Sequence, residues 1–231
     1  QASGCGQGLS SIVMPFSMTC LLSSTYFGPV QWYQKLNRYA HCCIEQHDHF
    51  VKQTYRNRCV IATTQGPQAL TVPVEKYIND VTETKDIRIS DHGNWRHLHW
   101  NALLSAYGES PFFEFYADDL RPFFERRWTF LLDFNMAINE KVCELLDIAP
   151  QLSFTTSYSV PSEGDEAAVK DCHKAIVTDY RDAIRPKHPL QDDSFTPRPY
   201  YQVYQQKFGF LPNLSILDLL FNMGNEAVLW L

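Results

Sequence analysis

The sequence feature that most constrains the fold is a strand, a helix and a second strand predicted in direct succession over residues 21–45. Residues 21–27 are rich in β-branched and aromatic side chains, which is typical of a strand. Pro29 suits the first turn of the next element, and from Val30 onward apolar side chains recur at the three-to-four spacing of a helix. The short apolar run 42–45 is typical of a second buried strand. A helix that connects two strands favours a parallel pair, so we expect an α/β fold.

The rest of the chain predicts more strands and then a helical half. Residues 55–62 and 69–74 are two strand-like runs whose linker carries the turn residues of a hairpin. The alternating residues 86–90 predict a further strand. Helical patterns then cover residues 95–107, 116–128, 131–146 and 215–222. Gly108 is predicted to end the first of these helices in the left-handed conformation. The predicted fold class is α/β, with a mixed sheet begun by a strand–helix–strand unit and a hairpin, and with a helical C-terminal half.

The chain length is compatible with one main domain. At 231 residues and 45% hydrophobic composition, it can bury a sizeable core without help from disulfides or metal. We expect a single domain over residues 21–231. Residues 1–20, which open on Gln rather than Met, are predicted to be an irregular N-terminal extension or a cloning remnant. Residues 162–199 are polar and contain four prolines, so they predict an irregular excursion with one short helix-like piece at 167–180.

Charge and cysteine usage exclude several classes of protein. The formal net charge is -6 and no basic run occurs, so we expect no nucleic-acid partner. No stretch of 18 apolar residues occurs, so we expect no membrane span. The seven cysteines are odd in number and form no C-x-x-C pair, which predicts reduced core thiols and a cytoplasmic location. No phosphate-binding or dinucleotide-binding glycine motif is present, so the cofactor stays unknown at this point.

A cavity for an anionic small molecule is the main functional hypothesis. Arg56 and Arg58 are two residues apart, so on an extended strand their side chains leave the same face. On the predicted helix, Arg96 lies in one stripe with His99 and Tyr107. If that helix packs on the strand, the guanidinium groups converge as they would around a carboxylate or a phosphate. The alternative is that these arginines pair with nearby acids. The predicted ligand-binding residues are Tyr26, Arg56, Asn57, Arg58, Arg96 and Tyr107.

His99 and Asp48 are the predicted catalytic residues. His99 is a candidate for acid–base chemistry because an unperturbed histidine titrates near neutral pH. The alternative is a core histidine that bonds a backbone carbonyl. Asp48 could orient His99 or replace it. His47 and His49 have the spacing at which both rings could face a metal, but no third ligand is apparent and no metal site is predicted.

Five segments, in this order along the chain, resemble the WbqC-like protein family, which occurs in bacterial O-antigen and other surface-polysaccharide gene clusters. The segments are Thr25-Tyr26-Phe27-Gly28-Pro29 with Trp32-Tyr33; Arg56-Asn57-Arg58; Leu70-Thr71-Val72-Pro73-Val74; Asn94-Trp95-Arg96 through His99 and Tyr107 to Pro111-Phe112-Phe113; and Pro212-Asn213-Leu214-Ser215-Ile216-Leu217-Asp218-Leu219-Leu220-Phe221-Asn222. Two departures are apparent: Ser24-Thr25 replaces a Gln–Pro pair, and Gln46-His47-Asp48-His49 stands where relatives often carry paired acids. The resemblance implies a role in making or modifying a cell-surface glycan.

Two functions follow from this resemblance and the arginine pattern. The first is a group-transfer enzyme that acts on a phosphate- or carboxylate-bearing precursor of a bacterial surface polysaccharide. The second is a non-catalytic anion- or sugar-binding accessory protein of the same pathway. A structural protein with ion-paired arginines is a third possibility. The sequence does not identify the substrate or the oligomeric state.

Overall fold

The computed structural model describes residues 19–158 and 177–231. Its strands are β1 (Thr19–Ser23), β2 (His41–Glu45), β3 (Arg58–Thr63), β4 (Gly66–Thr71), β5 (Leu152–Phe154) and β6 (Val177–Asp179). Its α-helices are α1 (Val30–Arg38), α2 (Trp95–Tyr107), α3 (Phe113–Leu120), α4 (Pro122–Glu125), α5 (Leu131–Leu145), α6 (Gln205–Phe208) and α7 (Ile216–Met223). Short 3-10 turns occur at Thr84–Asp86, His92–Asn94 and Gly224–Trp230.

A four-stranded parallel sheet forms the centre of the fold. Helix α1 connects β1 to β2, and the two strands pair in parallel with Cys20 opposite Cys42. The strand order is β5-β2-β1-β6, and every neighbouring pair is parallel. The two central strands are almost wholly buried, which matches their apolar runs because a parallel sheet is covered on both faces. The predicted strand–helix–strand unit is confirmed.

The predicted hairpin is also confirmed, as a separate two-stranded sheet. Strands β3 and β4 pair antiparallel, with Arg58 opposite Thr71. A tight turn joins them, and Gly66 has a φ of 100°, a conformation that glycine adopts at little cost. The α/β class is therefore confirmed. Among the described residues, the parallel and antiparallel strands belong to two sheets rather than to one mixed sheet.

The strand predicted at residues 86–90 does not form. Ile89 makes an isolated bridge with Val74, whereas Arg88 makes one with Phe130. The segment therefore divides its backbone hydrogen bonds between two different parts of the chain, and no continuous ladder with one partner develops. The alternating pattern correctly indicates burial, since Ile87 and Ile89 are buried, but it does not reveal the pairing partner.

Most helix predictions hold, with two corrections. The predicted helix 116–128 is two helices, because Pro122 has no N–H and begins the second of them, α4. Gly108 follows α2 as predicted but has a right-handed φ of -53°. Helix α7 begins as expected, since the Ser215 hydroxyl accepts a hydrogen bond from the N–H of Leu217 at 3.3 Å.

The two predicted irregular segments are described only in part. Of the N-terminal extension, residues 1–18 lie outside the described residues, and residues 19 and 20 belong to β1. Of the excursion, residues 162–176 lie outside as well, and the predicted helix-like piece ends instead in strand β6. Within residues 19–158 and 177–231, no helix combines the length and apolar character needed to cross a bilayer.

The cysteine prediction holds for four residues and is wrong for one. Cys20, Cys42, Cys59 and Cys143 are buried free thiols. Cys43, in contrast, is disulfide-bonded. The odd count of cysteines and the lack of a C-x-x-C pair did not reveal this bond, because disulfide pairing depends on distances between segments far apart in sequence.

Candidate functional site

The carboxyl ends of strands β2, β5 and β6 open into a cavity of about 470 Å³, which we call the carboxyl-edge cavity. All strands of a parallel sheet end at the same edge, and ligands of α/β proteins commonly bind there. The charged and imidazole side chains that line it are Arg56, Arg181, Arg185, His47, His49, Asp48, Glu83 and Asp182. The segments that follow the strands therefore bring three arginines, two histidines and three acids to one place.

Arg56 lies in the loop before β3 and forms an ion pair with Asp48, which follows β2. Nη2 of Arg56 donates to Oδ2 of Asp48, and Oδ1 of Asp48 accepts a hydrogen bond of 2.5 Å from the Thr84 hydroxyl. In the part of the chain that the structure describes, Nε of Arg56 is buried and has no hydrogen-bond partner. The predicted catalytic Asp48 is thus engaged by an arginine and a threonine.

Arg181, two residues beyond the end of β6, is the most firmly held arginine of the cavity. Its guanidinium binds Asp179 in bidentate fashion, with Nε–Oδ1 at 3.0 Å and Nη2–Oδ2 at 2.8 Å. Nη1 also lies 3.5 Å from Oε2 of Glu45, which is fully buried at the end of β2. Burial alone would lower the pKa of Arg181, but the hydrogen bonds and charge of Asp179, with the charge of Glu45, raise it. Arg181 therefore stays cationic at the edge of the sheet.

Arg185 lies at the rim of the cavity and is 38% exposed. Nη1 contacts Oδ1 of Asp182 at 3.0 Å, and Nε donates to the backbone carbonyl of His188 at 2.9 Å. Each of the three arginines therefore has a carboxylate partner. The cavity combines fixed hydrogen-bond donors with fixed acceptors and has no large excess of positive charge.

His47 and Glu83 form a hydrogen-bonded pair in the wall of the same cavity. Nδ1 of His47 lies 2.9 Å from Oε2 of Glu83, and Nζ of Lys85 lies 2.9 Å from the same oxygen. The hydrogen bond from Lys85 lowers the pKa of the Glu83 carboxyl, desolvation opposes this effect, and the hydrogen bond from His47 lowers the pKa further. Glu83 is therefore a carboxylate at neutral pH.

The other predicted arginines lie elsewhere. Arg58 is the first residue of β3, and its Nε donates to the Thr71 hydroxyl across the hairpin at 3.0 Å. Asn57 is buried, and its side-chain amide donates to the carbonyl of Val72 at 3.0 Å. Both contacts stabilise the hairpin, and neither residue lines the carboxyl-edge cavity.

Arg96 lines a second cavity of about 320 Å³, which we call the α2 cavity because it surrounds the first turn of that helix. Nη1 of Arg96 is 2.6 Å from Oδ1 of Asp91, and its guanidinium lies over the ring of Trp95 at 4.6 Å. Two more arginines line this cavity, Arg121 and Arg127. The structure thus places Arg56 and Arg96 in different cavities.

His99 and Tyr26 meet in the core. The Tyr26 hydroxyl and Nδ1 of His99 are 2.8 Å apart, and His99 is only 6% exposed. Burial lowers the pKa of His99 to about 4, against a smaller opposing effect of its hydrogen bond to the backbone of Thr71. His99 is therefore neutral at pH 7, and it lines neither basic cavity.

Tyr107 is part of a buried polar network around Asp218 of helix α7. The Asp218 carboxylate accepts hydrogen bonds from the hydroxyls of Tyr107 at 2.8 Å and Tyr200 at 2.7 Å, and from Gln202 at 2.9 Å. Burial raises the pKa of Asp218 although these three donors oppose the shift. The network connects α2, α7 and the chain that precedes α6, so Tyr107 lies in the core.

Several residues of the carboxyl-edge cavity were not singled out from the sequence. Arg181 and Arg185 lie in the predicted excursion, and the only local signal was the run of charged residues after Tyr180. No sequence pattern pointed to Glu83, because its partner His47 is 36 residues away along the chain. His47 was considered only as a metal ligand. Within residues 19–158 and 177–231, no three His, Cys, Asp or Glu side chains come together as a metal site requires.

The chain is similar to one protein family and to one known protein. The profile of the WbqC-like protein family matches residues 24–229. The uncharacterized protein Rv1507c of Mycobacterium tuberculosis is 31% identical over an alignment of 192 residues, which covers 77% of this chain and 81% of that protein. No solved structure matches the chain. The matched range lies inside the single domain expected over residues 21–231, which stays a prediction.

Proposed function

Because this chain belongs to the WbqC-like protein family, we propose that it acts on an anionic sugar precursor of a bacterial surface polysaccharide. The precursor binds in the carboxyl-edge cavity. One observation carries this proposal: three arginines and two histidines line a cavity at the carboxyl edge of the parallel sheet. That edge is where α/β proteins commonly bind their ligands.

The arginines are the anion-recognition part of the proposal. A guanidinium has five N–H donors, and an ion pair with one carboxylate uses only some of them. Within the described residues, Arg185 has hydrogen-bond partners at Nε and Nη1 and none at Nη2. Arg185 therefore keeps donor capacity for the oxygens of a phosphate or a carboxylate.

Two acids and the ring of Tyr158 are the basis for proposing that the rest of the ligand is a sugar. Sugar hydroxyls need acceptors as well as donors, and Asp182 and Glu83 are partly exposed at the cavity. The ring of Tyr158 is 56% exposed and lies beneath the guanidinium of Arg181 at 5.5 Å. An aromatic ring beside hydrogen-bonding groups suits the apolar face of a sugar.

The reaction class we propose is group transfer, with a non-catalytic accessory protein as the second candidate. One observation favours the second candidate: each of the three cavity arginines is paired with a carboxylate. Such pairs fix the arginines in position for binding a ligand, and binding alone needs no reaction. Phosphorus NMR of a nucleotide sugar incubated with the protein and with a hydroxyl- or amine-bearing sugar acceptor separates the two. Turnover supports an enzyme, and binding without turnover supports the accessory role.

A thermal-shift experiment tests the cavity itself. We expect inorganic pyrophosphate, sugar phosphates or nucleotide sugars to raise the Tm by several degrees, because a ligand at about 100 times its Kd stabilises a protein by about 2.7 kcal/mol. Arg185→Ala removes this rise. Arg88→Ala is the matched control, since Arg88 is also partly exposed and paired with a carboxylate, that of Glu75, but lies outside the cavity. No rise with any of these anions, or equal loss in both variants, contradicts the proposal.

The expected location and partners are part of the same proposal. We propose a cytoplasmic protein that binds a small anionic molecule and no nucleic acid, in line with the net charge of -6. The four buried free thiols support the cytoplasm, and the disulfide bond of Cys43 is evidence against it. Alkylation of freshly lysed cells without reductant, followed by mass spectrometry, tests this: a fully reduced Cys43 supports the cytoplasmic location.

A further inference from the structure

The contacts of His47 and Glu83 point to a proton-transfer pair in the carboxyl-edge cavity. We infer that His47 is the proton acceptor of this site and that Glu83 is the residue that positions it. The chemistry of the ligand in this inference is taken from the proposed function. The position of the proton on the imidazole is inferred from the hydrogen bonds of His47.

Glu83 determines which nitrogen of His47 carries the proton. A carboxylate only accepts hydrogen bonds, so the 2.9 Å contact between Nδ1 and Oε2 requires a proton on Nδ1. Lys85 is also near Nδ1, at 3.3 Å, but it is closer to Oε2 of Glu83, at 2.9 Å, and has its acceptor there. The neutral ring therefore carries its lone pair on Nε2, the nitrogen that a proton acceptor needs.

The backbone around His47 is held from two sides, so the pair is preorganised. Its own N–H donates to the buried Glu45 carboxylate at 2.8 Å. The N–H groups of Thr84 and Lys85 donate to the carbonyls of Asp48 and Gln46, at 2.8 Å and 3.0 Å. The segment with the histidine is thus joined to the segment with the glutamate on both sides of His47. Such support is what fixes a catalytic side chain in position.

The other candidates for this role are less suitable. His99 is buried in the core beside Tyr26 and lines neither the carboxyl-edge cavity nor the α2 cavity. Asp48 is buried, and both of its carboxylate oxygens are already engaged, one by Arg56 and one by Thr84. His47 lines the cavity and remains 15% exposed. Within the described residues, no hydrogen bond to its Nε2 is present.

The reaction that this pair serves is deprotonation of a nucleophilic hydroxyl or amine during group transfer. The O–H or N–H bond of the acceptor breaks, and its proton goes to Nε2 of His47. The electron pair of that bond stays on the acceptor atom, which uses an electron pair to bond to the carbon or phosphorus of the donor. The leaving group departs with the electron pair of the bond that breaks. The arginines hold the anionic part of the donor, so the ligand class is an anionic donor with a hydroxyl or amine acceptor.

Nitrogen NMR of protein labelled with ¹⁵N-histidine at pH 8 tests the inference. His47→Gln identifies the His47 signals. We expect the proton on Nδ1 and a bare Nε2, whereas free histidine prefers the opposite tautomer. Glu83→Ala should change the ratio of the two tautomers at least about five-fold, which is the change in an equilibrium constant expected from the loss of one ordinary hydrogen bond. Glu83→Gln, which can still accept from Nδ1, should keep the parent form. The remaining histidine signals report whether each variant is folded.

Inorganic pyrophosphate separates this inference from the proposed function. We expect it to shift the Nε2 signal of His47 in the parent, and Arg185→Ala to abolish that shift while the tautomer stays unchanged. A proton found on Nε2 in the parent overturns the inference, whatever pyrophosphate does. An unperturbed Nε2 signal together with the Nδ1–H form supports the pair and overturns the anionic ligand.

Discussion

The carboxylate of Asp192 lies 2.6 Å from the ammonium group of Lys35, which is only 1% exposed. Gln31 also donates to this carboxylate at 2.8 Å, and the Ser194 hydroxyl lies 2.6 Å from Nζ of Lys35. Burial lowers the pKa of Lys35, and the contact with Asp192 only partly offsets this effect. The pair therefore fastens the loop around residue 192 to helix α1 through a charge that has little access to water.

Asp192→Asn should destabilise the protein by roughly 3 kcal/mol, because it leaves the buried ammonium of Lys35 without its counter-charge. Asp192→Asn combined with Lys35→Met should recover part of the loss, since no buried charge remains unpaired. The measurement is the free energy of unfolding in urea at pH 7. Lys141→Met is the control: Lys141 forms an exposed pair with Glu144 at 2.7 Å, and its loss should cost about 0.5 kcal/mol or less. Equal effects of the two single substitutions would contradict this prediction.

The stability of the protein should fall in weak acid because of His99. Its pKa is about 4 in the folded state and about 6.5 in the unfolded state, so the unfolded chain takes up the proton first. The contribution of neutral His99 is fully present above pH 6.5 and is lost as the pH falls toward 4. The loss approaches about 3 kcal/mol at the acid end.

Comparison with His99→Gln isolates this effect from the titration of carboxylates. The variant should be less stable than the parent at pH 7.5, and the difference in unfolding free energy should shrink by about 2 kcal/mol or more between pH 7.5 and pH 4.5. Parallel pH profiles for the two proteins would show that His99 does not titrate in this range.

Asp218→Ala should be strongly destabilising, by roughly 3 kcal/mol or more, because it leaves the buried hydroxyls of Tyr107 and Tyr200 and the amide of Gln202 without their acceptor. Tyr200→Phe removes one donor only and should cost about 1 kcal/mol. Asp133→Ala, at an exposed position of α5, is the control for loss of a carboxylate. Thermal unfolding measures all three, and a mild effect of Asp218→Ala would contradict the structural role of the network.

Arg96→Ala should leave anion binding in the carboxyl-edge cavity unchanged, since Arg96 lines the α2 cavity. The Tm rise caused by pyrophosphate should therefore be the same in Arg96→Ala as in the parent, and absent in Arg185→Ala. The basal Tm of Arg96→Ala is expected to fall modestly, because the ion pair with Asp91 and the stacking on Trp95 are lost. Loss of the pyrophosphate effect in Arg96→Ala would show that the two cavities share one ligand.

Elements with a strong local pattern could be predicted from the sequence. The change of apolar spacing around Pro29 identified the strand–helix–strand unit, and the serine and glycine at the ends of α7 identified that helix. Spacing and capping act within a few residues, so they can be read along the chain. Family membership could be recognised for a similar reason, because five short segments occur in the same order.

Contacts between segments that are distant in sequence determine which residues form the candidate site. The placement of β6 next to β1 brings Arg181 and Arg185 to the carboxyl edge beside Arg56, and no local spacing encodes that strand order. Helix α2 packs so that His99 points into the core and Arg96 toward a second cavity. A helical stripe indicates which residues share a face but not what that face contacts. Side-chain type and periodicity are thus properties of the sequence itself. Which charged side chains come together depends on tertiary packing, because a charge can be buried only where a partner offsets the cost of its desolvation.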